Sequence, residues 1–298
     1  MDASGLSRRR RHSARYRSGP SRVRAVGVVV AMAATLLATT ATATPAGAAG
    51  FEIIRTVAGG GTPEDGVGDG GLATDAALGS PYKVALDEAG SVFIADGSRV
   101  RKVDSTGMIT TVAGDGSGVR CDWHDPGCDP WAAVPAPGDG GPATQASVAA
   151  VGVALDAEGN IYLSGAERVR KIDAATGIIT TVAGTGQFGT SGDGGPATEA
   201  TISDPQGIDV DGAGNLYIAQ GQGHVVRRVD TAGIITTIAG PGQWEWGTGP
   251  VVGDGGPATD AYLDFPQDVH VDEAGNVFIA DSGGNVPGAI RKIDAATG

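Results

Sequence analysis

Ile178-Ile179-Thr180-Thr181-Val182-Ala183-Gly184, followed by Gly192-Asp193-Gly194-Gly195-Pro196-Ala197-Thr198, is a phrase that the chain writes four times. Its first half recurs from Ile53 to Gly59, from Met108 to Gly114 and from Ile234 to Gly240. Its second half recurs at Gly68–Gly71, Gly138–Gly141 and Gly253–Gly256, with Pro-Ala-Thr replaced by Leu72-Ala73-Thr74 in the first copy. β-Branched residues closed off by a Gly-rich cluster predict a strand and then a tight turn. Self-similarity at this spacing marks a repeat architecture, in which each unit buries its apolar face by stacking on its neighbours.

The stretches between the copies align as well. Val84-Ala85-Leu86, Val153-Ala154-Leu155, Ile208-Asp209-Val210 and Val269-His270-Val271 occupy one position, and Val92-Phe93-Ile94, Ile161-Tyr162-Leu163, Leu216-Tyr217-Ile218 and Val277-Phe278-Ile279 the next. Runs this apolar predict strands covered on both faces. Asp87, Asp156, Asp211 and Asp272 each precede a Gly by three residues, an Asp-to-Gly spacing suited to a hairpin turn; Asp104 and Asp230 repeat it, and Asp173 and Asp294 use one residue more. The third strand carries the pairs Arg101-Lys102, Arg170-Lys171, Arg227-Arg228 and Arg291-Lys292. Neighbours on a strand point to opposite faces, so each pair is split and is read as charge partners for the aspartates rather than as a polyanion site. Four strands per repeat, with no long helical period, predict an all-β fold: a β-propeller of four-stranded blades.

Four phrases carry a resemblance to a known family: Thr181-Val182-Ala183-Gly184, Gly192-Asp193-Gly194-Gly195-Pro196-Ala197-Thr198, Gly214-Asn215-Leu216-Tyr217-Ile218-Ala219 and Val226-Arg227-Arg228-Val229. Here the sequence resembles the NHL-repeat β-propeller family, in a secreted bacterial form similar to the NHL region of teneurins. The resemblance covers residues 50–298 and implies a propeller, a scaffold that serves binding modules and enzymes alike. Two arrangements are expected of four repeats. Residues 51–59 supply the outer strand of the last blade and close a four-bladed ring, or the chain is a fragment of a longer wheel, as members of the family usually have about six blades.

The 298 residues include 51 Gly and carry a net charge of −13. The charge is uneven: residues 1–48 hold eight Arg and one acid, so residues 49–298 keep 13 of the 21 basic and 33 of the 34 acidic groups. So acidic a surface repels phosphate backbones and argues against nucleic-acid binding. The basic start, the apolar run from Ala25 to about Ala38 and the small residues Ala46-Gly47-Ala48 read as a secretory signal peptide over residues 1–49, cleaved near Ala48 or Ala49. Residues 50–298 are then expected as an exported, extracellular propeller with no stable membrane insertion. Cys121 and Cys128, the two cysteines, are expected to pair in an oxidising compartment.

No nucleophile elbow, phosphate loop or paired-His metal motif appears, and no catalytic residue is assigned. Asp209-Val210-Asp211-Gly212 imitates an EF-hand opening but lacks the closing Glu, with Gln220 in its place. The Gly-Asp-Gly-Gly turns could offer oxygen to calcium, although one carboxylate per turn suits a turn-fixing role better. An enzymatic alternative, a metal-assisted hydrolase or lyase at the channel mouth, uses Asp209 and His270, which replace Ala85 and Ala154, with Asp96 and Asp281 as further ligands for calcium or zinc. The leading expectation is an extracellular module without a cofactor that binds a protein or carbohydrate. Trp123, Trp131, Trp244 and Trp246 all lie in two insertions before Gly-Asp-Gly-Gly turns, and such rigid apolar plates suit sugar stacking or protein anchoring.

Overall fold

A computed structural model describes residues 54–118, 136–241, 253–283 and 287–296. The leader, its cleavage point, both cysteines and all four tryptophans lie outside the described residues. Within them the chain is all-β, with fifteen strands and four single-turn 3₁₀ segments, and no helix is long and apolar enough to cross a membrane.

Blade 1 comprises β1 (Pro81–Leu86), β2 (Val92–Asp96), β3 (Val100–Val103) and β4 (Ile109–Ala113). Blade 2 comprises β5 (Gly152–Leu155), β6 (Ile161–Gly165), β7 (Arg168–Ile172) and β8 (Ile179–Ala183). Blade 3 follows with β9 (Pro205–Val210), β10 (Leu216–Gln220), β11 (Val225–Val229) and β12 (Ile235–Ala239), and blade 4 with β13 (Pro266–Val271), β14 (Val277–Asp281) and β15 (Ala289–Ile293). Each blade is an antiparallel meander in chain order. Four such blades form a β-propeller, with β1, β5, β9 and β13 innermost.

The hairpins form as their spacing predicts. In the first, Gly90 N donates to Asp87 O at 3.0 Å, and Ser91 N donates to the Asp87 carboxylate at 2.7 Å. Gly90 sits at φ +80°, where a side chain would be strained. Register then places an aromatic opposite each innermost-strand position that varies: Ala85 pairs with Phe93, Ala154 with Tyr162, Asp209 with Tyr217 and His270 with Phe278.

Apolar side chains from successive blades interlock. Phe93 and Val100 meet Val153 and Leu163; Tyr162 and Val169 meet Ile208 and Ile218; Tyr217 and Val226 meet Val269 and Ile279. The junction between blades 4 and 1 differs. There Lys83 Nζ donates to the carboxylate of Asp268, while Val84 of β1 stays 60 % exposed although its equivalents Val153, Ile208 and Val269 are buried.

The expected closing strand is not in place. Blade 4 has three strands among the described residues, and β15 hydrogen-bonds β14 alone. Residues 54–58 form no strand, and Ile54 is 98 % exposed. They lead into the entry bond that Gly114, Gly184 and Gly240 make after β4, β8 and β12: Gly59 N donates to Ala73 O at 2.8 Å, with Gly61 N to Ala76 O at 3.1 Å, and Ala58 packs on the blade 1 cluster. The segment is therefore held at the entry to blade 1.

Candidate functional site

The axis of the wheel is crowded. A Cβ on Gly152 would lie 2.4 Å from Gln206 O, and one on Gly207 would lie 1.9 Å from the Asp268 carboxylate, so both positions need glycine for the backbones to approach. Ser164 Oγ donates to Gln206 O across the same gap at 2.5 Å. With the Lys83–Asp268 ion pair, these contacts knit the innermost strands together.

The structure brings Asp209 and His270 together, with Asp209 Oδ2 2.8 Å from His270 Nδ1. Asp209 also accepts Val271 N at 2.8 Å and Val210 N at 2.9 Å. Burial pushes its carboxyl above the ordinary carboxylate value, while the His270 side chain is 64 % exposed.

Asp96 and Asp281 do other work. Asp96 accepts Gly79 N at 3.1 Å and Ser80 N at 2.7 Å, and Asp281 accepts Asp264 N at 2.8 Å. Gln220, their equivalent in blade 3, acts alike, its Oε1 accepting Ser203 N at 3.2 Å; blade 2 has Gly165 at this position, and Ser164 one residue earlier accepts Gly152 N at 2.9 Å. The second-strand terminus in blades 1, 3 and 4 thus fastens the backbone that enters the first strand. Among the described residues no group of three or more His, Cys, Asp or Glu is placed to hold a metal ion.

The Gly-Asp-Gly-Gly carboxylates each take a guanidinium. Arg101 bonds Asp69 at 2.8 Å, Arg170 bonds Asp139 at 2.6 Å, Arg227 reaches Asp193, and Arg291 bonds Asp254 at 2.7 Å. The second basic residue of each pair faces the other way: Lys102, Lys171 and Lys292 lie over the rings of Phe93, Tyr162 and Phe278. The split of the pairs, and their role as partners of aspartates, are as the strand pleat requires.

Two features mark one end of the wheel. The insertions of blades 2 and 4 start from equivalent anchors, Gly114 N donating to Ala143 O at 2.9 Å and Gly240 N to Ala258 O at 3.0 Å. A cleft of about 260 Å³ opens beside the first, between blades 1 and 2, lined by Tyr82, Ser98, Ser117, Gly118 and Val148 among others.

Comparison with known sequences follows this geometry. The sequence profile of the Teneurin NHL domain matches residues 49–129 and 186–252. This is an NHL-type β-propeller. Teneurin-1 of Homo sapiens is 30 % identical over 242 residues, covering 72 % of this chain and 8 % of that protein. Teneurin-3 of Mus musculus is 47 % identical over 47 residues, 16 % of this chain and 2 % of that protein. The NHL-type chain therefore spans under a tenth of the length of these relatives. Among solved structures, a streptogramin B lyase aligns with a TM-score of 0.42 and 14 % identity, over 74 % of this chain and 56 % of that one.

Proposed function

We propose that this NHL-type propeller is an exported, extracellular module that binds a protein or glycan through its two Trp-bearing insertions. The reading rests on one observation: both insertions leave their blades from the same backbone anchor, the Gly114–Ala143 and Gly240–Ala258 hydrogen bonds. Loops that spring from equivalent points of a repeat project to the same side, so Trp123 and Trp131 would share a face with Trp244 and Trp246. Residues 1–49 supply the export signal, and a Cys121–Cys128 bridge would pre-order the larger loop and lower the cost of binding. The acidic net charge directs the module away from nucleic acid.

The test is the double variant Trp123→Ala/Trp244→Ala of the secreted chain, screened beside the parent on arrayed glycans and cell-surface ectodomains. Affinity for whatever the parent retains is expected to fall at least about tenfold, the effect of truncating a central aromatic anchor, with the melting temperature unchanged. Retained binding with a lowered melting temperature would assign the rings to packing and overturn the reading.

A further inference from the structure

Two positions that differ from blade to blade meet at each junction between neighbouring blades. One stands two residues before the buried Val100, Val169 and Val226 of the third strands, and is Ser98, Glu167 and His224 in turn. The other stands four residues before the buried Val153, Ile208 and Val269 of the next blade's first strand, and is Ala149, Asp204 and Phe265. Between blades 2 and 3 both side chains are large: burial and the neighbouring Asp204 push the half-buried Glu167 carboxyl above its ordinary value. Between blades 3 and 4 the buried His224 holds Nδ1 3.1 Å from Leu263 O, and a Cβ on Gly221 would lie 3.1 Å from the Phe265 ring. Between blades 1 and 2 the pair is only Ser98 and Ala149, and there the cleft of about 260 Å³ opens. It is the space that larger side chains take up at the other two junctions.

The lining of the cleft selects its occupant. The hydroxyls of Ser80, Ser98 and Ser117 and the phenol of Tyr82 share it with the aliphatic Val148 and Ala149, and none of the described lining residues carries a charge. An ionised ligand would lose hydration there without gaining an ion partner, and a wholly apolar one would leave the hydroxyls without water. A neutral sugar ring meets both demands, with hydroxyls along its edge and C–H groups on a face that packs on Val148, Ala149 and the Tyr82 ring. The volume lies below the about 300–1,000 Å³ of pockets that hold drug-sized ligands, which leaves room for about one ring. The walls are fixed in advance. Ser80 N donates to Asp96 at 2.7 Å, Ser117 Oγ donates to Asp115 at 2.7 Å, and Ala150 N donates to Gly97 O at 2.6 Å across the junction. Such preorganisation lowers the cost of ordering the site on binding.

We propose that this cleft binds one neutral pyranose, the terminal hexose or N-acetylhexosamine of a glycan. It lies between two complete four-stranded blades and uses neither tryptophan insertion, so it stands or falls separately from the binding face proposed above.

The test is saturation-transfer NMR of the full chain with the methyl glycosides of glucose, galactose, mannose and N-acetylglucosamine, beside glucuronic acid as the charged counterpart. At least one neutral glycoside is expected to receive saturation, and glucuronic acid none. Ser98→Glu puts into the cleft the side chain that blade 2 carries at its own junction, and should abolish the transfer while the melting temperature holds. Ser98→Ala keeps the space but removes a hydroxyl, and should weaken binding about fivefold, the worth of one neutral hydrogen bond. Trp123→Ala/Trp244→Ala should leave the transfer as it was. The proposal is overturned by the absence of transfer to every neutral glycoside, by transfer that Ser98→Glu leaves intact, by stronger transfer to glucuronic acid, or by transfer lost with the two tryptophans. Should Ser98→Glu fail to fold, the Ser98→Ala titration decides alone, and an unchanged affinity there overturns the proposal.

Discussion

At the scale of single residues the fold depends on a charge placed where charge is costly. Arg227 is sealed from solvent; its Nε donates to Asp193 at 2.9 Å, NH1 to Thr201 O at 3.0 Å and NH2 to Ser191 O at 3.1 Å. Asp193 meanwhile accepts Thr237 N of β12 at 3.0 Å, so one carboxylate joins its own turn to two strands of its blade. Removing one partner of such a pair strands the other, and the guanidinium, itself sealed from solvent, would keep only the Thr201 and Ser191 carbonyls. Asp193→Ala is expected to cost about 3 kcal/mol in urea unfolding. Asp193→Ala/Arg227→Met should recover part of that loss by removing the uncompensated charge. A double variant less stable than Asp193→Ala would mean that the guanidinium is not the source of the cost.

At the scale of elements the hairpins rest on carboxylates that must be ionised. The Thr106 side chain beside Asp104 and the Thr176 side chain beside Asp173 hold both carboxyls below the ordinary value of 3.8, and Asn276 does the same for Asp272. A carboxyl whose folded-state pKa is depressed contributes its full stabilisation above the unfolded value and loses it as pH falls through the folded one. Urea midpoints should therefore hold steady from neutral pH down to about 4.5 and drop steeply below 3.8. Asp104→Asn/Asp173→Asn should flatten that drop, and an unchanged acid limb would remove the hairpins from the cause. These turns were legible because their bonds are local, closed within four residues of the Asp. That the basic pairs serve aspartates was legible as well, but not which Arg meets which Gly-Asp-Gly-Gly turn, since these partners lie 31 to 37 residues apart in sequence. One signal was present: the first basic residue is Arg in all four copies, whereas the second is Lys in three and Arg in one. A forked donor was required at the first position and only a cation at the second. The metal reading placed Asp96 and Asp281 with Asp209 and His270 because second-strand ends converge in sequence alignment. Gln220, at the same position of blade 3, shares with them only the capacity to accept a hydrogen bond.

At the scale of the molecule, each blade is stabilised by its neighbours, and the neighbours are unequal. Blades 2 and 3 are each flanked by two interlocked apolar clusters, whereas blade 4 contributes to one, and blade 1 to one shared cluster and a smaller one of its own. In a repeat array stability is close to the sum of each unit's own term and its contacts with adjacent units, so opening begins at the units with fewest such contacts. Among the described residues the third strand of blade 4, β15, is also paired on one side only. Native-state hydrogen exchange of a dilute, single-chain sample should therefore be slowest in β6 and β10, faster in β2, and fastest in β14 and β15. Equal protection across the four blades at low concentration would contradict this nearest-neighbour account. It would require the blade 4–blade 1 junction, where the Lys83–Asp268 pair lies, to hold the wheel as firmly as the three apolar seams.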